Sequence, residues 1–141
     1  MADISNLVPT AREIEIKHPV TDDPIGIRID LCSIDDPKLK ALKRQMTDKR
    51  NKAAMKGSPL KASDIEQNEN TLMFNACEGW HWYNPTGSEG DDGYDPDAMP
   101  DFDGEVPDFN QRNFFRVIDR LQWMRRQIAT ELDEEKDFFQ L

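Results

Sequence analysis

The clearest pattern in the chain is a strict alternation near the N-terminus. Ile14 and Ile16 alternate with charged residues, and Ile25, Ile27, Ile29 and Leu31 do the same around Gly26, Arg28 and Asp30. Period two with β-branched residues predicts two half-buried strands. The connection HPVTDDP between them is rich in turn formers, so 13–31 is expected to form a β-hairpin. A lone hairpin is barely stable in water, so its apolar face needs a cover. The pattern then lengthens to a helical period. Asp36 before Pro37 marks a helix start. Leu39, Leu42, Met46 and Ala53 share one face until Gly57-Ser58-Pro59 ends it. Ser63 and Glu66 read as a capping box for a second helix, from about Asp64 to Trp80, so 36–83 is expected to be two helices. Leu72, Met73, Ala76, Cys77 and Trp80 form its last apolar turns. The stretch Thr71–Tyr83, the most apolar in the chain, is expected at the centre of the core.

The pattern disappears over 84–108, NPTGSEGDDGYDPDAMPDFDGEVPD. Few apolar groups are available there to offset ordering entropy, which predicts a mobile acidic loop. Periodicity returns at 109–141. Asn110 caps a helix whose stripe is Phe114, Val117, Ile118 and Leu121, continued by Trp123, Met124, Ile128 and Leu132. The region reads as one long helix or as two with a break near Asp119–Gln122. Phe138, Phe139 and Leu141 are expected to fold back onto the core. Residues 1–12 are expected to be loose.

The fold expected is mainly α: a small helical domain, one for all of 1–141, with an N-terminal β-hairpin and a long acidic loop. Its core is expected to use Ile27, Ile29, Leu42, Met46, Leu72, Met73, Ala76, Trp80, Phe114, Ile118, Trp123 and Ile128. A chain of 141 residues with 37% hydrophobic and 33% charged residues can build one modest core.

Charge changes the picture more than composition does. The net charge is -10, which argues against a general nucleic-acid binder, because phosphate binding needs an excess of Lys and Arg. The total conceals a segregation. Residues 38–61 carry nine basic side chains and one acidic one, whereas 62–83 carry four acids and no base, and 84–108 nine acids and no base. The basic helix is either a solvated face, a seat for the chain's own acidic loop, or a docking face for an acidic partner. In the last case Lys43, Arg44, Lys49 and Arg50 would steer that partner, with Trp82 as an exposed apolar contact. Exposed apolar ends at Trp82 and Phe139 also suggest self-association.

Candidate chemistry is sparse. Cys77 and His81 stand four residues apart, but a zinc site needs four ligands and only Cys32 and His18 remain. Nucleophilic catalysis needs an activated residue with a positioned base, and no such motif is present, so neither enzyme nor cofactor is expected. Asp95-Pro96-Asp97 and Asp101-Phe102-Asp103-Gly104 miss the calcium-loop register. Two cysteines without CxxC spacing suit a reducing compartment. The first residues lack the apolar run of a signal peptide, and no apolar run is long enough to span a membrane.

The order of these pieces resembles the tail assembly chaperones of long, non-contractile-tailed bacteriophages. The matching stretches are HPVTDDPIGIRIDLCSIDDP, KLKALKRQMTDKR, ENTLMFNACEGWHW and FNQRNFFRVIDRLQWMRRQI with a terminal DFF. Gly79-Trp80, Phe109-Asn110, Trp123 to Gln127 and Phe138 or Phe139 occupy places the family pattern marks. The loop at 84–108 is longer and more acidic than that pattern, and the proline that often separates the last two helices is absent. The resemblance implies a host-cytoplasmic protein, absent from the mature virion. It implies tape-measure and/or major tail-tube proteins as partners, kept soluble until the tube polymerises. From charge and hydropathy, neither a membrane nor a nucleic-acid partner is expected. The alternatives are a structural neck or tail component of the virion and a small acidic binding or inhibitor protein.

Overall fold

A computed structural model describes residues 12–133 other than Ile34. Strands β1 (Arg12–Lys17) and β2 (Pro24–Leu31) form the hairpin the alternation predicts. A third strand, β3 (Cys77–Trp82), pairs antiparallel with β2 and gives the sheet order β1-β2-β3. Four helices follow the pattern in chain order: α1 (Pro37–Met55), α2 (Ala62–Ala76), α3 (Gln111–Arg120) and α4 (Gln122–Asp133). Among the described residues the architecture is therefore mixed α/β, four helices with a three-stranded antiparallel sheet, and not mainly α with a hairpin.

The correction is concentrated at β3. The second helix stops at Ala76 and not near Trp80, because Cys77 turns extended at φ -94° and ψ 131°. The chain then satisfies the open edge of β2. Trp80 lies opposite Ile29 and Trp82 opposite Ile27, so both indoles point to the covered side of the sheet. Trp82 is consequently buried, not an exposed partner contact. Leu31 pairs with Cys77 while Asp30 pairs with Gly79, which leaves Glu78 as an extra residue in a bulge.

Helices cover one face of the sheet. Ile14, Ile16, Ile27, Ile29 and Leu31 meet Leu72, Met73 and Ala76 of α2, Phe114, Val117 and Ile118 of α3, and Met124, Ile128 and Leu132 of α4 in one buried cluster. Trp80, Trp123 and Leu42 lie at its margin, half-buried. The opposite face stays in solvent and is polar. There Arg28 donates to Glu15 at 2.9 Å and lies 4.4 Å from the Tyr83 ring centroid, and the Tyr83 hydroxyl donates to Glu15.

Local chemistry sets the element ends. The Asp36 side chain accepts from the Lys38 N–H at 2.9 Å, and the Asn110 side chain from the Asn113 N–H at 2.8 Å. At α2 the expected cap moves forward: the chain enters the helix at Lys61, whose N–H donates to Asp64 at 3.2 Å. The break between α3 and α4 needs no proline. Leu121 leaves the helical region at φ -107° and ψ 71°, and the Gln122 amide donates to the carbonyls of Ile118 and Asp119. These carbonyls are among those a helix end leaves unpaired.

The acidic segment 84–108 takes a defined course. Asn84 donates to the Asp95 carbonyl at 2.7 Å, and the Asp95 N–H donates to Thr86 at 2.9 Å. A 3-10 turn follows at Pro96–Ala98. Phe102 is buried beneath the guanidinium groups of Arg116 and Arg120, and Asp103 bonds Arg120 at 2.7 Å. The Trp80 indole N–H donates to the Pro107 carbonyl at 3.0 Å. Of the expected loose N-terminus, Arg12 instead opens β1, whereas residues 1–11 and the fold-back of Phe138, Phe139 and Leu141 fall outside the described residues. Among the described residues, no helix is long and apolar enough to cross a membrane.

Candidate docking surface on the helical arm

Helices α1 and α2 form a hairpin of which only the root joins the core. On α1 the buried residues are Leu39 and Met46, and on α2 they begin at Leu72. No residue from 47 to 71 is buried. The α1 sequence explains this: past Met46 its side chains are mostly charged or small, so the helix has little with which to hold a core. The root is tied down where burial resumes. Arg125 of α4 donates to Asn70 at 2.8 Å and to Glu69 at 3.3 Å. Beyond that tie the hairpin is an arm with Met55 88% and Ile65 46% exposed.

Two hollows meet along this arm. One, of about 380 Å³, lies between the helices over Leu42, Met46 and Leu60, with Gln45 and Lys49 on one side and Asp64, Gln67, Asn68 and Thr71 on the other. The second, of about 610 Å³, continues from Gln45 and Lys49 past Asp48, Lys52, Ala53 and Lys56 to Ser58. Together they make a groove with an apolar floor and a lysine wall.

The basic residues singled out from sequence do not share one face. At about 100° per residue, Lys43 and Arg50 fall on one flank of α1 and Arg44 on the opposite flank. Lys49 alone of the four lines the groove. Lys52 and Lys56, which join it there, are missed by a reading that weights charge density over helical position. The signal was present as the spacing 49, 52, 56. Trp82, the fifth residue, lies in the sheet, outside the arm, and is buried.

The remaining chemistry is quiet. Cys77 and His81 do not face one another across a helix turn; both lie on β3. Cys77 is buried, and desolvation first, then the neighbouring Cys32, pushes its thiol well above the ordinary range. Burial likewise raises the Cys32 thiol, helped by Asp36 and Glu78. A thiol held in its protonated form is a poor nucleophile. His81 lies on the solvent face, stacked on Tyr83 with centroids 6.0 Å apart. Among the described residues, no group of three or more His, Cys, Asp or Glu is placed to hold a metal ion. No protein-family model, curated protein or solved structure matches this chain.

Proposed function

We propose that this chain is an assembly chaperone of a long, non-contractile phage tail. It holds tape-measure and/or tail-tube subunits in soluble form in the host cytoplasm and is released before the virion is complete. The observation that carries the reading is the arm: residues 47–71 leave an apolar and basic surface without a cover. The ordered sequence motifs support it from a second direction. A tape-measure subunit awaiting assembly has long apolar helical stripes to hide, and a helical groove can cover such a stripe. Masking of this kind requires no catalytic residue.

Co-expression with the tape-measure and tube proteins encoded beside it tests the reading. A partner that becomes soluble only in its company, co-elutes with it in size-exclusion chromatography and is missing from its side in purified virions supports a chaperone. Tail subunits whose solubility is unchanged, or finished particles that contain the chain, would overturn it.

A further inference from the structure

We infer that the groove between α1 and α2 is the seat for an amphipathic helix of another protein, apolar along one stripe and acidic along the flank beside it. The inference rests on the reading of the arm as a docking element, and it adds the site and the chemistry of the occupant. The floor consists of Leu42, Met46, Ala53 and Leu60, of which Leu42, Ala53 and Leu60 are half-buried. Leu42, Met46 and Ala53 stand at helical spacing, so they present a stripe and not isolated contacts. Leu42 to Lys56 is about 21 Å along a helix axis, enough for roughly four turns of a partner.

Charge decides which helix fits. Lys49, Lys52 and Lys56 stand along one wall with Asp48 among them, which leaves that wall net positive, and none of the three lysines forms an ion pair among the described residues. The α2 wall is mostly neutral and polar, with Gln67, Asn68 and Thr71 beside Asp64. An occupant with carboxylates on the α1 side therefore meets three lysines against the one carboxylate of Asp48, while one with lysines there meets a net positive wall. Complementarity of this type sets orientation and rate of encounter, and it rejects the reversed helix.

The experiment uses the full chain and two synthetic amphipathic peptides with the same leucine stripe, one flanked by glutamate and the other by lysine. Fluorescence anisotropy at low and high salt reads affinity, and methyl-methionine NMR reads the location. The glutamate peptide should bind more tightly, weaken with salt and shift Met46, while the core residue Met124 stays in place. The variant Lys49→Glu/Lys52→Glu/Lys56→Glu alters three exposed residues and should melt like wild type. It should lose about tenfold or more in affinity for the glutamate peptide. A second variant, Leu60→Asp, should weaken both peptides.

Equal binding of the two peptides, an unshifted Met46, or full affinity in the triple variant would overturn the inference. So would a wild-type dimer that the triple variant dissolves, because the groove would then belong to a second copy. The two readings fail separately. A triple variant that still keeps tail subunits soluble removes the groove and leaves the chaperone. A groove that binds the glutamate peptide in a chain that rescues no tail subunit does the reverse.

Discussion

The side-chain amide of Gln127 closes a two-bond ring on the main chain of Lys17. Its Oε1 accepts from the Lys17 N–H at 2.9 Å, and its Nε2 donates to the Lys17 carbonyl at 2.7 Å. A carboxamide has the donor and acceptor pair of a peptide group, so α4 supplies β1 with the equivalent of one further strand contact. Arg12 adds a bond to the Glu131 carbonyl at 2.9 Å. With β3 paired on the far side of β2, the hairpin has a strand on one edge and these α4 contacts on the other. Unprotected edges invite pairing with other chains, and here α4 blunts one of them.

Gln127→Leu should therefore cost about 1 kcal/mol in urea unfolding, the net worth of such bonds at a half-exposed site. The Lys17 amide should exchange with solvent faster, while amides within β2 keep their protection. Unchanged exchange at Lys17 would show that the ring does not persist in solution.

The tryptophan pair distinguishes a strand from a helix. Trp82 is 7% exposed, whereas Trp80 is half-buried. Trp82→Ala should cost about 3–5 kcal/mol, and Trp80→Ala less. Had the second helix continued, the order would be reversed. Denaturant titration of the two variants, read by circular dichroism, gives the answer.

Gly26 and Gly57 both have positive φ, +97° and +74°, but for different reasons. A Cβ on Gly26 would lie 2.1 Å from the Tyr83 carbonyl oxygen and 3.0 Å from Pro100, whereas one on Gly57 meets nothing within 4 Å. Gly57→Ala should cost only the backbone strain, about 1 kcal/mol. Gly26→Ala should cost clearly more, because the β2–β3 end has to separate. Comparable melting temperatures for the two variants would contradict the close approach.

Alkaline stability should depend on Cys77. Its thiol is held above the ordinary 9.0 by burial. Above that pH the unfolded chain loses this proton and the folded chain keeps it. The contribution is thus whole below about pH 9 and declines as pH rises, by up to about 1.4 kcal/mol per pH unit. Cys32, raised in the same direction, adds to the loss. Cys77→Ala starts less stable at neutral pH but should lose less between about pH 8 and 10.5 than wild type. Parallel curves would mean that Cys77 is open to solvent.

Local chemistry was legible wherever one signal stood alone. Alternating isoleucines gave β1 and β2, and Asp36-Pro37 and Asn110 gave helix starts that the structure keeps. The stripe of Phe114, Ile118 and Ile128 gave core positions that are fully buried. The break near Leu121 was legible as one of two options, and Gln122 decided it by capping α3.

Thr71–Tyr83 carried two signals at once. Leu72, Met73, Ala76, Cys77 and Trp80 suit a helix, while Trp80 and Trp82 two apart suit a strand. Nothing local chooses between them, since strand preference depends on neighbours. The choice came from β2, whose second edge had no other partner, and it sent Trp82 inward. The arm divides in the same way: the spacing 49, 52, 56 already places three lysines on one side of α1, but the groove beside them required α2 as its second wall. Sequence by itself determined the periodicities, the caps of α1 and α3 and the segregation of charge, all set by residues within a turn or two. Tertiary structure decided the third strand, the burial of Trp82, the closure of β1 by Gln127 and the groove between α1 and α2, because each joins residues that meet only when separate segments pair.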